Sequence, residues 1–133
     1  MCKLLVVDDE EMIRVCLGAI LEATGHEVVL ANDGREAIEK YVKNRDKIAL
    51  VVMDITMPRM DGVVAARMLK EIDPSLKIVL MSGHTERELN DTDADAFIAK
   101  PFRAYDICEI VHQTLGESPA LQWEDPVAIR ATG

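Results

Sequence analysis

Four short apolar runs in this chain each end in a residue able to do chemistry. Lys3 to Val7 runs into Asp8 and Asp9, Ile48 to Met53 into Asp54, Lys77 to Met81 into Ser82, and Ala96 to Ala99 into Lys100. Three unpaired carboxylates on one patch repel strongly, and a hard divalent cation resolves the conflict; Mg²⁺ suits all-oxygen ligands with waters left over. Lys100 adds a fixed positive charge and Ser82 a hydrogen-bond donor. An oxyanion such as phosphate would meet a metal, an ammonium, a hydroxyl and backbone N–H groups together, which is the equipment of phosphoryl transfer. Each residue alone says little. An acidic pair can simply be charge at a helix N-terminus, an Asp can start a turn, and a Lys before Pro is ordinarily a surface residue. The joint occurrence at four run ends carries the reading.

The elements that must position these groups alternate between strand and helix. The runs Lys3–Val7, Glu27–Ala31, Ile48–Met53, Lys77–Met81 and Ala96–Ala99 are too short for helices. Between them, helical spacing predicts a helix from about Glu11 to Ala23, with Ile13, Leu17, Ile20 and Leu21 on one stripe and Gly25 as its stop. A second, Arg35 to Lys43, buries Ala37, Ile38, Tyr41 and Val42; a third, Val63 to Ile72, closes at Asp73 and Pro74. The last, Arg103 to Leu115, turns Ile107, Cys108, Ile110, Val111 and Leu115 inward. The pattern predicts an α/β fold, a doubly wound five-stranded parallel sheet with helices on both faces. Ligands bind such a sheet outside the carboxyl ends of its strands. With strand order 2-1-3-4-5, the first and third strands are neighbours and Asp8, Asp9 and Asp54 converge.

Composition bounds the partners. The 133 residues suit one domain, and 49% hydrophobic with 29% charged residues describes an ordinary globule. Fifteen Lys and Arg against 24 Asp and Glu leave a net charge of −9, which argues against direct nucleic-acid binding. No apolar run reaches the roughly 20 residues of a membrane span, and no basic stretch leads into a long apolar one, so the expectation is a cytoplasmic protein that does not enter the membrane. Cys2, Cys16 and Cys108 are odd in number and lack metal or disulfide spacing; Cys16 and Cys108 read as packing residues on apolar helix faces.

The runs Leu4-Leu5-Val6-Val7-Asp8-Asp9-Glu10, Val51-Val52-Met53-Asp54-Ile55-Thr56-Met57-Pro58, Asp61-Gly62, Met81-Ser82-Gly83 and Lys100-Pro101-Phe102 resemble the receiver domain of two-component response regulators. The likeness covers about residues 3 to 116, in order. It implies the flavodoxin-like, chemotaxis-regulator fold with strand order 2-1-3-4-5. It also implies Asp54 as phosphoacceptor from a sensor histidine kinase or phosphotransfer protein, with Mg²⁺ held by Asp9, Asp54 and the Thr56 backbone carbonyl, and Asp8 acting through a bound water. By the same resemblance Lys100 contacts the phosphoryl oxygens and its bond to Pro101 is cis. Ser82 and Phe97 form the switch that signals to a downstream protein or a linked output domain, and Thr56 and His84 tune the lifetime of the acyl phosphate. His26 and His112 show no chemical partner in the sequence.

One departure stands out. His84 to Asp95 is about one helical turn shorter than the family's usual segment and has one large apolar residue, Leu89, so the fourth helix of the family is expected to be short or disordered. Residues 1–116 form the expected receiver domain, and 117–133 a C-terminal tail or linker remnant in which Trp123 could anchor against the domain. Two rival readings remain. A haloacid-dehalogenase-type phosphatase would want a second Asp where Thr56 stands. The other is a phosphate-independent protein-binding module of the same fold. A stand-alone regulator and a piece of a hybrid kinase or longer regulator both fit the sequence.

Overall fold

A computed structural model describes residues 3–44, 47–57, 60–83 and 94–116. The described elements run β1 (Lys3–Val7), α1 (Glu11–Glu22), β2 (Glu27–Ala31), α2 (Gly34–Lys43), β3 (Ile48–Asp54), α3 (Gly62–Ile72), β4 (Lys77–Ser82), β5 (Ala96–Ala99) and α4 (Ala104–Leu115). The strands form one parallel sheet in the order β2-β1-β3-β4-β5, as expected. Residues 84–93, where the shortened helix is expected, lie outside the described residues.

Strand periodicity divides the core. Successive side chains of β1 point to opposite faces, so Leu4 and Val6 join Leu17, Leu21, Ile107 and Val111 beneath α1 and α4. Leu5 and Val7 join Tyr41, Ala65 and Leu69 beneath α2 and α3. β3, covered on both faces, is apolar throughout until Asp54. Three helix ends have a local cause. Asp33 caps α2 by accepting from the Glu36 N–H at 2.8 Å, and Asp61 caps α3 by accepting from the Val64 N–H at 2.9 Å. Gly116 closes α4 at φ 81°, a left-handed turn that favours glycine.

Two side chains depart from the sequence expectation. Val42, expected to be buried, is 49% exposed. Tyr41 takes the sheet-facing position, and the next residue lies about 100° further round the helix. Cys16, expected to pack, is exposed for the same reason: Leu17 occupies the inward position beside it.

Candidate functional site

The site is built where β1, β3, β4 and β5 end. Asp8 follows β1 and is fully buried; its Oδ1 accepts the Glu10 N–H at 2.8 Å, and its backbone carbonyl accepts from Arg14 Nη1 at 2.7 Å. Asp9, one residue on, is exposed. Asp54 ends β3 and is 6% exposed. One carboxylate oxygen from each of Asp8, Asp9 and Asp54 lies within 4.8 Å of the others. A hard cation needs such an oxygen cluster, open on one side to water, and the donor set fits it.

Lys100 faces the cluster from the end of β5. Its Nζ lies 3.2 Å from Asp8 Oδ2 and 3.4 Å from Asp54 Oδ1. The placement follows from backbone pairing: Ser82 sits opposite Ala99, and the Ser82 carbonyl accepts the Lys100 N–H at 2.8 Å. The Lys100–Pro101 peptide is cis, as the resemblance implied. Burial pushes the Asp54 carboxyl above its ordinary value; the Lys100 charge opposes this, the Asp8 charge adds to it, and a hydrogen bond from the Thr56 backbone opposes it again. Burial by itself would lower the Lys100 ammonium, but Asp54 and then Asp8 overcome it, and the value stands above the ordinary one.

Ser82 ends β4 at 5% exposure, one residue after Met81, which pairs with Asp54 across the strands. Phe97 lies on β5 opposite Leu80, partly buried against the α2/α3 core. Thr56 is exposed two residues beyond Asp54. The structure thus brings Asp8, Asp9, Asp54 and Lys100 together and places Ser82 on the adjoining strand end, with Phe97 further down β5. His84 lies outside the described residues.

Two supporting residues act through contacts that the fold makes. Arg14 ties the first turn of α1 to the Asp8 carbonyl. Gly62 lets α3 start against the loop after Asp54: a Cβ there would stand 2.2 Å from the Asp54 carbonyl oxygen, and the Gly62 N–H donates to the Ile55 carbonyl at 2.8 Å. The Asp61-Gly62 pair is visible in the sequence, but the contact that demands glycine is tertiary.

The chain belongs to the response regulator receiver domain family, whose model matches residues 4–112. It is 39% identical over 118 residues to the chemotaxis protein CheY of Bacillus subtilis (strain 168), covering 85% of this chain and 97% of that one. CheY of Thermotoga maritima is 37% identical over 116 residues, covering 84% and 95%. Among solved structures, the response regulator protein TrrA from Thermotoga maritima, in complex with Mg²⁺-BeF, superposes with a TM-score of 0.79 at 30% identity over 86% of this chain and 99% of that one. CheY in the CheX–CheY–BeF₃–Mg²⁺ complex from Borrelia burgdorferi gives 0.79 at 29% identity over 84% and 87%.

Proposed function

We propose that the chain is the phosphoacceptor receiver of a two-component phosphorelay, and that Asp54 takes a phosphoryl group from a phosphohistidine of a sensor histidine kinase or phosphotransfer protein. The observation that carries this is Lys100 Nζ within 3.4 Å of Asp54 and 3.2 Å of Asp8, beside a three-carboxylate cluster. An Asp54 carboxylate oxygen attacks phosphorus; the P–O bond forms as the P–N bond breaks, and the electron pair stays on the donor imidazole. Lys100 neutralises charge on the phosphoryl oxygens. Asp9, Asp54 and the Thr56 carbonyl would hold Mg²⁺, with Asp8 reaching it through water, and the ion would supply charge neutralisation where the phosphoryl oxygens gather. Both structures named above contain Mg²⁺ and a beryllofluoride, the ion this donor set suits.

The Ser82 hydroxyl then moves to bond the new oxygens, drawing the loop after β4, and Phe97 responds on β5. Movement of that face controls a downstream protein or a linked output domain. The Phe side chain has no hydroxyl, so its two positions differ little in polarity. Thr56 and His84 flank the path of the hydrolytic water and set the lifetime of the phosphorylated state. The chain is a switch whose only catalysis is its own phosphorylation and dephosphorylation, and it acts in the cytoplasm.

The test is intact mass after incubation with a small phosphodonor, with and without Mg²⁺, on the wild type and on Asp54→Asn. A metal-dependent gain of one phosphoryl group, absent from the variant, is expected. No gain in folded protein that binds Mg²⁺ favours the phosphate-independent binding module instead.

A further inference from the structure

Beside the carboxylate site, an apolar groove of about 530 Å³ runs between α1 and the β5–α4 loop. Met12, Cys16 and Ile20 line it from α1, Pro101 and Phe102 from the loop, and among the described residues Lys100 is the one charged residue in its lining. Met12 is 80% exposed, an uncovered large apolar side chain. Exposed apolar surface of this kind marks a place where something packs.

We propose that the groove is the docking site of the chain's own C-terminal segment, residues 117–133, with Trp123 as the anchor. Reach favours it. α4 starts beside the groove, just after Phe102, and its 12 residues carry the chain about 18 Å away to Gly116. The seven residues from Gly116 to Trp123 span about 23 Å when extended, enough to return along α4 to the groove. Chemistry favours it as well. Trp123 is the only tryptophan of the chain, with Leu121, Val127 and Ile129 as the other large apolar residues of a segment that otherwise mixes polar residues with Ala, Pro and Gly. An indole buries about 150–250 Å² when it docks and suits a shallow apolar trough with water at one edge. Glu124 and Asp125 follow the anchor directly, and Arg103, next to Phe102 of the groove, keeps its side chain 85% exposed while its Nε lies 3.5 Å from Asp106 Oδ2. The docked segment would therefore put indole on apolar surface and carboxylates beside a guanidinium, at the border of the site through Lys100.

The single tryptophan makes the full chain its own reporter. Emission and acrylamide quenching of Trp123 are measured on the wild type, on Met12→Asp in the groove, and on Val64→Asp, an exposed position on α3 away from it. Circular dichroism and light scattering accompany each variant. The expected result is blue-shifted, quench-protected emission that does not change with protein concentration. Met12→Asp should shift the docked-to-free ratio about tenfold toward free, equivalent to about 1.4 kcal/mol, and Val64→Asp should not. Emission of a free indole in the wild type overturns the proposal. So does protection that survives Met12→Asp, which would put the anchor on another surface. Protection that rises with concentration together with a doubled mass overturns it too, making the occupant the tail of a second copy.

Discussion

Replacing Lys100 with Met keeps the stem of the side chain and removes the charge that two buried carboxylates share. The pairs at 3.2 and 3.4 Å are each worth about 5 kcal/mol in gross Coulomb energy at an effective dielectric near 20. Desolvating the ammonium returns several kcal/mol, so the net loss is about 3 kcal/mol, the usual cost of stranding one side of a buried pair. For a domain of this size that lowers Tm by about 12 °C. The assay is thermal unfolding of wild type and Lys100→Met at pH 7 without divalent ions, repeated toward pH 4 and again with Mg²⁺.

The pH dependence has a definite sign. Lys100 is raised above its ordinary 10.5 in the fold, so its contribution is full below that value and disappears as pH climbs through the folded one. Asp54 is raised above 3.8, so the folded protein holds that proton more tightly than the unfolded chain, and ionised Asp54 costs stability at neutral pH. As pH falls through the raised Asp54 value the carboxyl becomes neutral and needs a cation less. The variant's deficit should therefore shrink toward pH 4, and shrink at pH 7 on adding Mg²⁺. A deficit under about 1 kcal/mol at pH 7, or one that neither acid nor Mg²⁺ reduces, would refute the claim that Lys100 holds the two carboxylates together.

Three further outcomes follow from single contacts. Asp54→Asn removes a carboxylate that burial disfavours, so the unphosphorylated variant should be more stable than wild type at pH 7 in denaturant titrations without Mg²⁺. The gain should shrink as pH falls through the raised Asp54 value and be gone below the ordinary 3.8, where the carboxyl is neutral in both the folded and the unfolded chain. Gly62→Ala drives a Cβ to 2.2 Å from the Asp54 carbonyl oxygen, a contact only backbone movement can relieve; a loss of about 2 kcal/mol and slower phosphorylation by a small phosphodonor are expected. Tyr41→Phe deletes the 2.7 Å hydrogen bond from the Tyr41 hydroxyl to Asp73 at the end of α3, and chemical denaturation should show a loss of about 1–2 kcal/mol with phosphorylation unchanged.

The strands and the polar residues at their ends were legible because two short-range rules fix them. An apolar run of four to seven residues between helical segments is too short for a helix and reads as strand, and a parallel sheet puts each run's carboxyl end on the same edge. That is why the sequence alone places Asp8, Asp54, Ser82 and Lys100 on one edge. Where the reading failed, the missing quantity was rotational. Cys16 and Val42 each sit one position from a core residue, and apolar character alone does not say which neighbour of a pair turns inward.

A different class of fact was out of reach altogether, because it joins residues distant in sequence with no compositional mark. His26 and His112, which showed no partner in the sequence, place their Nε2 atoms 3.2 Å apart in the buried region between the start of β2 and the last turn of α4. The separation of 86 residues lies far outside any local motif. Gly62 is a milder case: the Asp61-Gly62 motif shows in the sequence, but its need for glycine comes from the Asp54 backbone it abuts in the fold. The same distinction governs the groove beside Lys100. Met12 and Phe102 are unremarkable apolar letters until the fold sets them on two sides of one trough, and only then does a lone tryptophan seven residues past Gly116 acquire a place to go.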